Sequence, residues 1–439
     1  MVPLWRSVPS VSRSLTCRTS PVKRLYAYAA SPLSEPLVDL QAETAEGVDL
    51  SPQSVQVTTL ENGLKVASLE THSPKSRVGL FIDAASRHET PNTLGISHVL
   101  RNAAFMGNLD HTGFRISREL EHTGASLEYV CLILEGAMNR VKLDLAVKDS
   151  QPQINVVEEL HRVAFRRTLG NSLYCLPHRT GSFTTDVMKD YTQNSYVGQR
   201  MALVGVGVDH SQLVDLAKAA FSFLPKGEAA AKEASKYHGG EVMNFRAGPL
   251  VHAVLATEGA SLGSKDLLTF SVYQKLLGAT PYIKWGSNMA SNRLFKAAAE
   301  SAGGAFSASA FNASYSDGGL FGFYVVAEPS NVAKVMKSVV GQFSKASKGD
   351  ISDQDITRAK NQMKAHLLMN SESQDTMFED IGFQISTKGS YTSPLEAATA
   401  VDSITKTDVL TVAKRVFSGK PSLSAAGDVS TMPGLDELF

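Results

Sequence analysis

The sequence predicts an α+β fold built from two related domains, and three repeated features along its 439 residues predict it. Residues 78–84 form an apolar run followed by a polar loop and a helical pattern over 94–105. Residues 251–257 repeat the run, with a helical pattern over 265–277. Next, a helical stretch over 119–123 stops at Gly124. Its counterpart stops at Gly303-Gly304, where glycine would supply the positive φ of a helix end. Finally, Thr185-Asp186 opens a helix leading to the apolar run 201–208, and Thr407-Asp408 opens another leading to 423–427. The same three features in the same order predict an internal duplication.

The two copies differ in length. Gly124 and Gly304 stand 180 residues apart, whereas Asp186 and Asp408 stand 222 apart, so the first copy is about 42 residues shorter between those landmarks. The second copy spends that interval on an apolar run at 320–327 and a helical pattern over 331–344. The first is therefore expected to lack about one strand and one helix, through a deletion or through skipped coding sequence. Expected boundaries are a presequence at 1–26, an extension at 27–51, the first repeat at 52–224, a solvated linker at 225–246 and the second repeat at 247–439.

Composition narrows the function. The chain is 43% hydrophobic and 20% charged, which excludes a mostly disordered polymer. Its 43 bases balance 43 acids, so no global field draws in nucleic acid. No apolar run approaches the roughly 20 residues that cross a bilayer. Three cysteines, Cys17, Cys131 and Cys175, with no CxxC pair, argue against a disulfide framework or a thiolate zinc site. Residues 1–34 carry Arg6, Arg13, Arg18, Lys23 and Arg24, seven serines and no acid, the composition of a mitochondrial transit peptide. The stretch Arg24-Leu25-Tyr26-Ala27 resembles a matrix-processing site with cleavage before Ala27, leaving 38 bases against 43 acids.

The chemically informative helix contains His98, Arg101 and Asn102. Residues at i and i+4 share a helix face, so two imidazoles at 98 and 102 with a carboxylate at 101 could hold zinc and take a proton from its bound water. Its place after a strand and an Arg87-His88-Glu89 loop resembles the opening of the pitrilysin-type metallopeptidases. That family includes the mitochondrial processing peptidases and the core proteins of respiratory complex III. Active members carry H-x-x-E-H on this helix. Here only His98 remains. Arg101 stays protonated and has no acceptor, and Asn102 is a poor replacement for imidazole. The pattern predicts no catalytic residue and no metal, with His98 as a structural histidine. The family's further glutamate has no counterpart here; Glu158 and Glu159 belong to a later helix. No P-loop, G-x-S-x-G elbow or full G-x-G-x-x-G is present.

The second half strengthens the resemblance. Residues 308–324, including Phe311, Asn312, Tyr315, Asp317, Phe321 and Tyr324, are similar to the core-protein branch of the family, as are residues 60–70, 78–82 and 173–175. The resemblance runs from about Leu60 to the C-terminus. It implies a structural subunit without a cofactor, lying peripherally on the matrix side of the mitochondrial inner membrane. Its partners would be core protein 1 and other complex III subunits, with the cleaved presequence of the Rieske iron–sulfur subunit as a peptide its cavity would hold. Two alternatives remain at this point. One is a non-catalytic partner subunit of the processing peptidase, whose glycine-rich loop would fall at 276–287, a stretch with only two glycines. The other, an active zinc peptidase, would need ligands this helix does not supply.

Overall fold

The computed structural model describes residues 54–102, 112–125, 134–228, 233–278 and 292–439. The processing positions Arg24, Tyr26 and Ala27, and Cys17 and Cys131, lie outside the described residues. The first half runs β1 (Gln56–Thr59), β2 (Lys65–Leu69), β3 (Arg77–Ile82), α1 (Ile96–Asn102), α2 (Gly113–Thr123), α3 (Leu134–Ser150), α4 (Pro152–Phe165), α5 (Thr185–Ser195), β4 (Met201–Val206) and α6 (His210–Phe221). The second runs β5 (Gly240–Phe245), β6 (Val251–Glu258), α7 (Leu267–Leu277), α8 (Arg293–Ser301), β7 (Phe306–Ser314), β8 (Gly319–Ala327), α9 (Val332–Ser347), α10 (Asp353–Glu372), α11 (Gln374–Lys388), α12 (Pro394–Asp402), α13 (Lys406–Ser418), β9 (Ser422–Gly427) and α14 (Leu435–Leu438).

Each half builds one mixed sheet. The first has the order β1-β2-β4-β3 and the second β5-β9-β6-β8-β7, with β2 parallel to β4, β5 parallel to β9 and the other pairs antiparallel. The trios β2-β4-β3 and β5-β9-β6 therefore share order and direction. They differ beyond that: β6 carries β8 on its outer edge, whereas among the described residues no strand lies on that edge of β3. The interiors differ in the same sense. In the second half α7, α9, α10, α13 and the sheet close on one continuous core. In the first, Ile96, Val99, Val141, Leu145 and Met188 form one cluster around α1, α3 and α5. Leu64, Val66, Leu203 and Leu213 form another under α6.

The halves exchange helices. In α4 the residues Val156, Leu160, Ala164 and Phe165 recur at helical spacing, and they pack on Val254, Ala256, Leu320 and Ala426 of the second sheet. In α11, Phe378, Ile381 and Ile385 pack on Ala67, Ala202, Val204 and Val206 of the first. Contact at this second seat is backbone-close. A Cβ on Gly382 would lie 2.0 Å from the Phe81 ring, and one on Gly79 would lie 2.5 Å from the Phe378 ring. The two rings meet at 5.3 Å between centroids. Overpacking a seat this tight forces strain, so Gly382→Ala is expected to destabilise the fold by about 1–3 kcal/mol, read as a lowered Tm.

A charged clasp also joins the halves. Arg87 donates from Nη1 to Asp317 Oδ1 at 2.7 Å and from Nη2 to Asp317 Oδ2 at 2.6 Å, and it further reaches Ser316 Oγ and the Glu233 carbonyl. Ser235 N–H donates to the same carboxylate at 2.8 Å. Partial burial alone would raise the Asp317 pKa. The Arg87 guanidinium and the Ser235 N–H overcome that and hold it down from 3.8 to about 2. A depressed carboxylate stabilises the fold above its unfolded pKa, and the contribution disappears as pH falls through the folded one. The clasp is thus expected to add about 2 kcal/mol above pH ~4 and to lose it between ~4 and ~2. Asp317→Asn should flatten that part of the denaturant-stability profile.

Two expectations need correction. The end of the expected linker, residues 240–245, is the strand β5. Gly198 N–H and Gln199 N–H also donate to the carbonyls of Pro225 and Lys226, and Tyr237 OH lies 2.6 Å from Ser422 Oγ. And α8 does not end on a left-handed glycine. Gly124 does cap α2 at φ 69, but α8 ends at Ala302 in extended backbone, whose N–H donates to Ala298 O. Gly304 serves a different need, since a Cβ there would sit 2.4 Å from the Glu328 carboxylate.

Candidate functional site

The site is built where α1 crosses α3. Glu89 sets α1 in place: its buried carboxylate accepts from Gly95 N–H at 2.7 Å and Ser97 N–H at 2.9 Å, offsetting the free donors of a helix start. Gly95 precedes the helix at φ 91, and a Cβ there would come within 2.6 Å of Cys175 Cα, so both the turn and the close approach demand glycine. Tyr191 OH donates to Ala84 O at 3.0 Å, fixing the strand end that leads to the helix.

His98 is 1% exposed. Its Nε2–H donates to Asp144 Oδ2 at 2.7 Å, and its Nδ1 accepts from Cys175 N–H at 3.0 Å. With both ring nitrogens so engaged, the imidazole is the neutral Nε2–H tautomer. Burial lowers its pKa, and the Asp144 bond only partly opposes that. Asn102 Nδ2 donates to the His98 carbonyl at 3.2 Å and, at 3.4 Å, to Asp144, where Arg101 Nη2 also stands at 3.4 Å. Burial by itself would raise the Asp144 pKa, but the His98 and Asn102 bonds, helped by the Arg101 charge, leave it below the usual carboxylate range. Tyr174 closes the group, its ring 5.2 Å from His98 with the Arg101 guanidinium at 5.7 Å and the Lys148 ammonium at 5.1 Å.

The structure therefore brings the three sequence-selected residues, His98, Arg101 and Asn102, to one point, and adds Asp144 from α3. These residues do not fit a zinc ion. Nε2 spends its proton on Asp144, the next group is a guanidinium, and only one imidazole faces the centre. Among the described residues no three His, Cys, Asp or Glu side chains stand together as a metal set. Glu158 is engaged elsewhere, accepting from Ser172 Oγ at 2.5 Å, and Glu159 pairs with Arg162. Cys175 is buried, burial raises its thiol pKa, and it serves the site through its backbone. What the group can do is hold α1, α3 and the 173–176 turn together.

The model of the peptidase M16 inactive domain matches residues 182–363, and that of insulinase, peptidase family M16, matches residues 65–132. Cytochrome b-c1 complex subunit 2 of Rattus norvegicus is 36% identical over 458 aligned positions, covering 97% of this chain and 100% of the rat protein. The chain belongs to the M16 peptidase family. The human subunit 2 is 35% identical, with 89% of this chain and 94% of the human one covered. Mitochondrial-processing peptidase subunit alpha-2 of Dictyostelium discoideum is 31% identical over 88% of this chain and 95% of its own. A solved chain of complex III2 from Candida albicans superposes with a TM-score of 0.75 at 20% identity, covering 87% of this chain and 98% of that one, which establishes the shared fold. The range matched by the insulinase model, residues 65–132, includes α1 and so His98, Arg101 and Asn102.

Proposed function

We propose that this chain is a non-catalytic core subunit of respiratory complex III, of the subunit 2 type, contributing to the assembly and stability of a complex that passes electrons from ubiquinol to cytochrome c. The observation that carries the reading is the identity of 36% over the full length of a b-c1 complex subunit 2, above the 31% to a processing-peptidase subunit. The chemistry of the site agrees: Arg101 and Asn102 stand where a base and a second ligand would be needed, and Asp144 is consumed by His98. Its partners are then core protein 1 and the other complex III subunits, and its place is the matrix side of the mitochondrial inner membrane. Among the described residues no helix is long and apolar enough to cross a membrane, so attachment would run through partners.

On the same reading residues 1–26 are a presequence removed before Ala27, and the chain is a duplication whose first copy, 52–224, is short relative to the second, 247–439. The parallel strand trios support the duplication. The core of the first half, divided into separate clusters among the described residues, supports the shortening. The alignment to the rat relative agrees, since its 458 positions cover 97% of a 439-residue chain and leave about thirty facing gaps.

Blue-native electrophoresis of mitochondria, with mass spectrometry of the bands, tests all of this. Peptides of this chain in the complex III band, beginning at Ala27 and including one that joins residues 127 to 156 without insertion, are expected. A soluble heterodimer band instead would move the chain to the processing-peptidase branch. A longer form alone would end the case for a short first copy.

A further inference from the structure

Helix α9 has two opposed faces. Its buried residues, among them Val332, Val335, Met336, Val339 and Phe343, recur at helical spacing and face the second core. On the other side stand Lys334, Lys337, Lys345 and Lys348, all exposed. At 3.6 residues per turn and 1.5 Å per residue, the four fall within an arc of about 80° and along about 21 Å of helix. The sequence of α9 contains no acid and no arginine. None of the four ammonium groups has a hydrogen-bond or ion-pair partner among the described residues. The acids that flank the helix are engaged elsewhere: Glu328 accepts from Ala305 N–H at 3.2 Å, and Asp350 lies 3.6 Å from Arg293.

Two details of this ridge run against what helix stability favours. Lys334 lies in the first turn, where the helix dipole disfavours a cation, and neither an acid nor the Asn331 side chain offsets it. Gly341 sits midway along the ridge, and a Cβ there would meet nothing. No packing inside the protein therefore accounts for a residue that weakens a helix interior. What a glycine does there is keep the ridge low at its centre, so that a broad surface can approach the backbone with two lysines at either end.

We propose that the lysine face of α9 is a docking surface for an anionic lipid bilayer. The composition of the face selects that partner. Protein interfaces are depleted in lysine and enriched in arginine and aromatic anchors, and this face has neither of the latter. Arginine is also the residue that recognises a single phosphate or carboxylate bidentately, whereas lysine ammoniums are point charges on flexible stems, suited to a diffuse field of headgroups. The large apolar residues of α9 are committed to the core, so nothing on this face inserts, and the contact is electrostatic and reversible. Each lysine held near such a surface adds about fivefold in affinity. The inference does not rest on the complex III reading; in an inner-membrane assembly it adds a direct contact to attachment through partners.

Site-resolved acetylation of lysines, read by mass spectrometry of the full chain with and without vesicles, tests it. On vesicles of phosphatidylcholine with one-quarter phosphatidylglycerol at low salt, Lys334, Lys337, Lys345 and Lys348 are expected to be labelled severalfold more slowly. The exposed Lys189 of α5 and Lys388 of α11 should keep their rates. Protection should vanish on pure phosphatidylcholine and at high salt, where the charges are screened. Replacing all four ridge lysines by glutamine, at unchanged Tm, should weaken co-sedimentation with the charged vesicles at least ~10-fold, and Lys189→Gln with Lys388→Gln should leave it nearly unaltered. Ridge lysines labelled on charged vesicles as fast as Lys189 would overturn the proposal. So would protection of the four in the native assembly freed of lipid, because a protein would then be what covers the face.

Discussion

A chain carrying Arg101→Glu and Asn102→His is expected to bind about one zinc ion, where the unaltered chain binds none. The scaffold for it stands already. Positions 98 and 102 share one face of α1, and Asn102 Nδ2 is 3.4 Å from the Asp144 carboxylate, so an imidazole at 102 would converge with His98 and Asp144 as a third ligand. Three ligands and a water are a common catalytic zinc set. Removing Arg101 also removes a fixed positive charge beside the ion. Two terms resist: Nε2 must give up its proton, which sets Nδ1–H against the Cys175 N–H, and the spacing must open. His98 Nε2 and Asp144 Oδ2 are 2.7 Å apart, whereas two ligand atoms about 2.05 Å from a tetrahedral zinc stand ~3.3 Å apart, so the helices must part by about half an ångström. A dissociation constant of about 1 μM, roughly −8 kcal/mol, would offset that and remain easy to measure. Zinc counted by atomic emission after gel filtration reads the result, and a further Asp144→Asn change should weaken binding at least ~10-fold. A variant that keeps the parent circular dichroism yet leaves the column without zinc would show that Asp144 does not stand where a ligand could.

Asp144 is the part of that site the sequence concealed. His98, Arg101 and Asn102 were legible because one helical turn places them together, a purely local rule. Asp144 lies 42 residues beyond Asn102, on a helix of apolar residues facing several ways, and no spacing connects the two. Cys175 escaped for a different reason, since it acts through its backbone N–H, which any residue but proline would provide. The fold divides along the same line. Strand runs such as 78–84 and 251–257 were readable from apolar continuity, and helix starts from the pairs Thr185-Asp186 and Thr407-Asp408, although the capping hydroxyls are those of Thr184 and Thr405. The destination of an apolar face was not. The spacing of Val156, Leu160 and Ala164 announces a buried stripe on α4 but is silent on which sheet receives it, because burial is non-directional along the chain. Residues 225–246 looked solvated for a related reason: β5 is half polar, and its pairing partner β9 lies some 180 residues away.

Severing the chain within residues 229–232 is expected to leave two fragments that fold together and not apart. Each fragment alone keeps its sheet but loses the helix that covers one face, and it exposes the stripe of the helix it lends. Fully burying a large apolar side chain is worth about 1.5–3 kcal/mol, so stranding the four residues of α4 or the three of α11 removes ~5–10 kcal/mol. That matches the whole net stability of an ordinary domain, roughly 5–15 kcal/mol. The Arg87–Asp317 clasp is lost in addition. The first fragment should suffer more, because its interior is already divided into separate clusters. Together, the fragments forfeit only the effective concentration the covalent link supplied, in the millimolar range for a short connection. Two reciprocal seats hold them against that loss. Co-expression should yield a stoichiometric complex with one cooperative unfolding transition, and expression singly should yield aggregate or a chain without near-ultraviolet signal. Cooperative unfolding of either fragment by itself would mean that the exchanged helices decorate two self-sufficient domains, and that the shared interior of α4 and α11 is not what makes the halves one molecule.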